Sequence, residues 1–377
     1  MQEIVSVILL LGAAQGIFFS MMLLALPEGN RQANRWLAAL LASFSINIAG
    51  TALYDLHITP QVPHIALIHT PFAVLIGIST WFFVKNFTEK NFKMRWWHWA
   101  HLLPFLLNVL YFVPFYWLSA LEKKDILEAS YLKKPDTWVW SFNAANLVNA
   151  VYVVLTVALI LRHERHIRQV FSNTEKKSLR WLMQFIFAIV ASFVVCVLLS
   201  VYDIGFADNF SNLAFSVIIY VMGYRAMKQP EIFKNIPEEV VTETDDPALV
   251  KTPVKYEKSG LTERKAQELL AKLDAAMAHE KVFLDPELTL PQLAELLGAT
   301  PHQVSQLLNQ HKQESFFDYV NRHRVEHFKR AALDPDNAHL SILGIAFDSG
   351  FNSKAAFNAV FKKMTGTTPS AFRKPVV

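Results

Sequence analysis

Five polar side chains follow a Thr300-Pro301 pair: His302, Gln303, Ser305, Gln306 and Asn309. Their apolar companions Val304, Leu307 and Leu308 recur at helical spacing, which puts the polar set on an outer helix face. Gln and Asn carry a donor and an acceptor side by side, which matches an adenine edge in the major groove, and Ser can address either base type. A second set, Ser353, Lys354 and Asn358, follows Gly350. Lys362, Lys363, Arg373 and Lys374 come after it. Such cations bind backbone phosphates and add affinity without reading sequence. The chemistry on offer is recognition of a duplex by hydrogen bonds and charge. The plainer alternative is a solvated helix face.

Two helix–turn–helix patterns must position these groups. In residues 340–373, Ile342, Ile345, Ala346 and Ser349 form a small apolar stripe, and Gly350 allows a tight turn with positive φ. Phe351 should plug the angle between helices. Ser353 is a good N-cap for a helix that buries Phe357, Val360, Phe361 and Met364 and exposes Lys354, Ala355, Asn358, Lys362 and Lys363. Upstream, Thr289 caps a helix with Leu290, Leu293, Ala294 and Leu297 inward, and Gly298 turns the chain. Thr300 and Pro301 then give an N-cap followed by proline at the first helical position. A helix over 316–333, with Phe317, Val320, Phe328 and Ala332 inward, bridges the two units. An amphipathic helix over 261–280 should pack on this domain through Ala266, Leu269, Leu270, Leu273 and Met277. For Arg324, on the bridging helix, an internal ion pair is expected.

Residues 260–373 resemble the AraC/XylS-type DNA-binding domain. The resemblance rests on Leu293-Ala294, Gly298, Asn321, Arg324-Val325, Ile345-Ala346, Gly350-Phe351, Ser353, Phe357, Phe361-Lys362, Gly366, Thr368-Pro369 and Phe372-Arg373. It implies two helix–turn–helix units joined by one long helix. Their second helices would enter successive major-groove segments about one DNA turn apart. Ala359 stands where the family often has an arginine, so that contact is missing here. The family also often carries a soluble cupin at the N-terminus, for which this chain has something else.

The first 228 residues read as membrane. The chain is 53% hydrophobic with 29 phenylalanines, and apolar runs near 4–26, 36–54, 65–84, 99–118, 138–161, 182–202 and 210–227 have bilayer length. The first run lacks the basic flank and small-residue cleavage site of a signal peptide. Arg31, Arg35, Lys85, Lys90, Lys93, Arg95 and the Arg162–Arg180 cluster fall in one set of loops, while the opposite set is balanced by acids. That bias puts the N-terminus outside and the tail in the cytoplasm of a bacterial inner membrane. Tyr54, Asp55, His69, Asn143, Asn146 and Asn149 lie in or near outer span halves. They would form either a small-molecule pocket or interhelical hydrogen bonds. Pro71, Pro104 and Pro114 should mark kinks. Cys196 reads as a packing residue. No metal-ligand spacing or nucleophile motif appears in these spans, so no enzyme, cofactor or metal is expected.

The expected class is all-α: a seven-helix membrane domain (1–228), a flexible linker (229–259) and a double helix–turn–helix domain (260–377). The linker's acidic cluster could dock on the basic tail, although plain solvation is favoured. The expected function is a membrane-embedded one-component transcription regulator. Its partners would be double-stranded promoter DNA, the lipid bilayer, a second copy of the chain, RNA polymerase, and a small-molecule or membrane signal. The alternatives are a regulator released by proteolysis of the linker, and a transporter with an appended DNA-binding domain.

Overall fold

The computed structural model describes residues 2–26, 30–89, 92–132, 136–175, 178–201 and 262–373, with Ala214, Val217 and Val221. Every regular element among the described residues is a helix, apart from one isolated antiparallel bridge between Phe171 and Thr289. The chain divides into two compact units, His163–Ser178 together with 236–377, and the remainder up to Asn235.

The first unit contains α1 (Gln2–Ala25), α2 (Arg31–Asp55), α3 (Phe72–Thr88), α4 (Leu103–Tyr116), α5 (Ala120–Leu132), most of α6 (Asp136–Val170) and α7 (Arg180–Val201). Among the described residues, four stretches are long and apolar enough to cross a membrane: Glu3–Ala25, Arg31–Asp55, Trp96–Tyr116 and Ala144–Val170. Phe72–Thr88 and Leu182–Ser192 are apolar but shorter. Leu9, Leu37, Leu41, Phe44, Phe83 and Ile160 form the largest core of this unit. Ile4, Leu11, Phe18 and Met21 of α1 point outward, as lipid-facing residues would.

Several boundaries differ from the hydropathy reading. The third run begins as helix only at Phe72, because Leu67 sits at φ 61° and Pro71 occupies the N-cap. The fourth is a 3₁₀ segment (Trp96–Leu102) that becomes α4 with Pro104 in its first turn. Pro71 and Pro104 therefore start helices, and only Pro114 lies inside one. α6 runs on through basic residues to Val170, well past the apolar stretch. The last expected span and the linker at 229–259 lie outside the described residues, except for three helical positions in the former.

Polar groups in this unit serve mainly as ties. Asn149 Oδ1 accepts the Gly77 amide at 2.9 Å and its Nδ2 donates to the Ala73 carbonyl at 3.0 Å. Tyr54 stacks on Tyr131 and shares a hydrogen bond with Ser130 at 3.0 Å. His69 packs so closely on Gly50 that a Cβ there would collide with its ring. The side chain of Asn143 lies outside the described residues, Asn146 is half-buried, and the Asp55 carbonyl accepts from His57. At Asn149, interhelical bonding is the arrangement observed.

The second unit holds α8 (Glu263–Ala275), α9 (Leu290–Leu296), α10 (Pro301–Leu307), α11 (Phe316–Leu333), α12 (Ile342–Asp348), α13 (Lys354–Thr365) and α14 (Pro369–Arg373). It has two cores. Ala266, Leu269, Leu273, Leu293, Val304 and Leu307 belong to the first, with Val320 of α11. Ile345, Ala346, Phe357 and Phe361 belong to the second, with Val325 and Phe328 of the same helix. α11 therefore carries one half of its length into each core. α8 starts at its Thr262 cap and ends in a π turn, Ala276–Glu280.

Candidate nucleic-acid interface

Short helices such as α9, α10 and α12 cannot hold themselves together in water, so caps and packing must define them. Thr289 caps α9 in a reciprocal box with Gln292, whose Oε1 accepts the Thr289 amide at 2.8 Å. Gly298 turns the chain at φ 63°. Thr300 and Gln303 make the same box at the start of α10, and Pro301 follows the cap. In the second unit Ser341 caps α12, and Gly350 turns at φ 89°. A Cβ at Gly350 would collide with the Phe283 carbonyl oxygen and come within 3.0 Å of Arg324 Nε, so only glycine fits. Phe351 is buried against Phe357, and Ser353 Oγ accepts the Ala356 amide at 3.0 Å.

This scaffold presents the outer face of α13. Lys354, Asn358 and Lys362 are all exposed there, as is Ala355 beside them. Lys363 is exposed too, but its ammonium pairs with Asp318 at 2.6 Å. Burial works against that carboxylate, yet the hydrogen bonds from Lys363 and Ser315 outweigh it and hold the carboxyl below its ordinary value. Lys363 is therefore partly committed to fixing α13 on α11.

The face of α10 is less open than its spacing suggests. Asn309 is exposed, in a π turn (Leu308–Lys312) that ends α10 and closes at Gln313 with φ 54°. His302, Gln303 and Ser305 are half-buried, and Gln303 spends its amide oxygen on the capping box. Gln306, expected on the outer face, is only 5% exposed and donates to Gln310 Oε1 at 3.1 Å.

Two arginines have structural work that spacing did not reveal. Arg373, expected at phosphates, donates to the carbonyls of Leu340, Asn337 and Ala338 at 2.6, 2.9 and 3.3 Å, tying α14 to the loop before α12. Lys374 lies outside the described residues. Arg324, expected in an ion pair, is instead 1% exposed and held by neutral oxygens. Nε donates to the Phe283 carbonyl at 2.7 Å and Nη2 to that of Asp285 at 2.6 Å. Burial pulls this guanidinium down to about 10, with Asp285 and Glu287 pushing the other way. It stays charged at neutral pH.

The remaining donors of Arg324 reach a piece of chain that sequence reading did not connect with this domain. Ser172 lies in the mid-chain piece His163–Ser178, which belongs to the same compact unit. Its carbonyl accepts from Arg324 Nη1 at 3.3 Å and Asn321 Nδ2 at 3.0 Å, and its Oγ accepts from Arg324 Nη2 at 3.0 Å. Its amide and Oγ donate to the Leu288 carbonyl at 3.2 and 2.7 Å. Arg168 lies 5.5 Å over the Phe317 ring. Glu287 accepts from Asn173 at 3.3 Å and from Asn352 at 2.9 Å. The Glu175 carboxylate accepts from Ser353 Oγ at the start of α13. No local pattern in either stretch announces this pairing.

These elements are two helix–turn–helix units on one bridging helix. Residues 293–375 match a family model described as a helix-turn-helix domain, and the C-terminal region is a helix–turn–helix domain of the AraC type. Curated relatives agree. The HTH-type transcriptional regulator GlxA of Rhizobium meliloti (strain 1021) is 28% identical over 100 residues, 26% of this chain and 30% of the relative. The uncharacterized transcriptional regulatory protein YesN of Bacillus subtilis (strain 168) is 38% identical over 93 residues, 24% of each chain. The chain thus spans less than a third of the length of these relatives. No solved structure matches.

Proposed function

We propose that this chain is a membrane-embedded one-component transcription regulator. Its C-terminal domain binds promoter DNA sequence-specifically, and a seven-span N-terminal domain senses a signal. The observation that carries this reading is the outer face of α13. Lys354, Asn358 and Lys362 stand exposed behind a turn that admits only glycine, on a chain whose described residues include four helices apolar enough to span a bilayer. An exposed second helix with amide and cationic groups is what major-groove insertion requires.

The roles divide by position. Asn358, Asn309, Lys354 and Ser353 address base edges, with His302, Gln303 and Ser305 beside them. Lys362 and Lys363 bind phosphates. The bias of Lys and Arg among the loops supports an inner-membrane location with the N-terminus outside and this domain in the cytoplasm. Tyr54, Asp55, His69 and Asn146 line the region where a signal would be received. A second copy on a paired half-site would add affinity through effective concentration, and RNA polymerase is the natural downstream partner of a promoter-bound regulator.

A reporter assay comparing the full chain with a 261–377 fragment tests the reading. Signal-dependent output from the full chain alone is expected. Equal and signal-independent output from both would remove the sensing role.

A further inference from the structure

The helix–turn–helix domain comes with its own antagonist. We propose that the piece His163–Ser178 occupies the domain in competition with DNA, as an intramolecular partner seated at the start of α13. This rests on the reading that the domain binds DNA through that helix.

Three observations place the piece as a specific ligand rather than a passing neighbour. First, its centre is buried: Val170, Phe171, Ser172, Asn173 and Thr174 are each less than 10% exposed, and Ile167, Val170 and Phe171 make a small apolar cluster, while Arg165 and Glu175 at its flanks are exposed. Second, Ser172 uses its amide, carbonyl and hydroxyl together, with Leu288, Asn321 and Arg324 as partners, and the bridge of Phe171 to Thr289 fixes the register. Third, two carboxylates meet the turn that presents α13. Glu175 takes the Ser353 hydroxyl, and Glu287 joins Asn173 to Asn352.

The placement of Glu175 is the decisive one. The N-terminal residues of a second helix are those a helix–turn–helix brings to the bases. The same helix end attracts anions, because its free amides and dipole are positive. A carboxylate on Ser353 therefore stands where a DNA phosphate or base edge must come, and repels what it does not block. DNA can engage α13 fully only once Glu175 has left.

The test uses the full chain in nanodiscs with Cys196→Ser, so that Phe171→Cys and Thr289→Cys can close a disulfide across the bridge. The probe is a labelled random-sequence duplex at low salt, which any helix–turn–helix face should bind weakly. Oxidation should weaken binding by roughly tenfold or more, because it removes the competent population, and reduction should restore it. The reduced form controls for the lost Thr289 cap. Separately, Glu175→Gln should strengthen binding while Glu268→Gln, an exposed acid on α8, should not. Equal binding by oxidised and reduced protein overturns the antagonist and leaves DNA binding standing. Failure of every form to bind overturns the DNA-binding reading and the antagonist with it.

Discussion

Arg324 and Ser172 stand 152 positions apart in the chain, yet the guanidinium of one holds both the carbonyl and the hydroxyl of the other, at 3.3 and 3.0 Å. The same guanidinium spans to the Phe283 and Asp285 carbonyls, so one planar fork joins three stretches of backbone. An ammonium cannot reproduce that geometry. Arg324→Lys should leave buried carbonyls unmatched and destabilise the domain by on the order of 3 kcal/mol. Hydrogen exchange at the α11 amides should report this as lost protection. Unchanged protection would mean that the fork is dispensable.

The two turn glycines should behave differently. Gly298→Ala meets no atom within 4 Å and suffers only from its positive φ, so a cost of about 1 kcal/mol is expected. Gly350→Ala adds a collision with the Phe283 carbonyl and should cost at least ~3 kcal/mol. Protection of α13 amides, compared between the two variants, ranks them. Equal losses would refute steric exclusion at Gly350.

Asn358 and Lys362 are exposed neighbours on α13 with different chemistry. Asn358→Ala should relax preference at one base position, measured by selection from a random duplex pool, with a discrimination loss of about 1–3 kcal/mol. Lys362→Ala should weaken all sequences alike and lower the salt slope by about one. Matching profiles would erase the distinction between reader and anchor. Gln303 is a poorer choice, since its loss also breaks the cap of α10.

Acidification should loosen this domain. His323 and His327 are held below their ordinary value of 6.5, mainly by burial, and further by Arg322 for the first and by Lys281 and Arg330 for the second. An imidazole that protonates less readily when folded leaves the unfolded chain with more protons, so stability is full above about 6.5 and falls as pH drops below it. Exchange at α11 measured from pH 7.5 to 5.5, after correction for intrinsic rates, should show the loss, and His327→Gln should flatten it. A flat profile in the unaltered chain would exclude these residues as the cause.

Local chemistry made much of the second unit legible. Thr289, Thr300 and Ser353 act as the caps their types suggest, Gly298 and Gly350 take positive φ, and the inward residues of α9, α11 and α13 are buried, except Phe317 and Met364, which are half-buried. What periodicity could not show is where side chains end. Gln306 lies within the regular part of α10, yet it is buried and its amide turns to Gln310 on the π turn that follows, a contact the helical count does not contain. Arg373 and Arg324 carry positive charge, but their targets are carbonyls contributed by loops. Ser172 and Glu175 belong to a stretch read only as a basic loop, and contacts between residues so distant leave no periodic trace. In the first unit the polar set was visible, whereas the choice of Asn149 as a tie depends on the facing backbone of Gly77 and Ala73.

The split composition of the second unit has a topological outcome. The chain leaves it after Ser178 and returns to it at residue 236, so the covalent connection between the two pieces is a ring whose ends are sealed by non-covalent bonds. A single cut in that ring breaks the covalent path without detaching the domain. Release by proteolysis alone would therefore be incomplete: a nicked molecule keeps its DNA-binding half in place until the seal at Ser172 also opens.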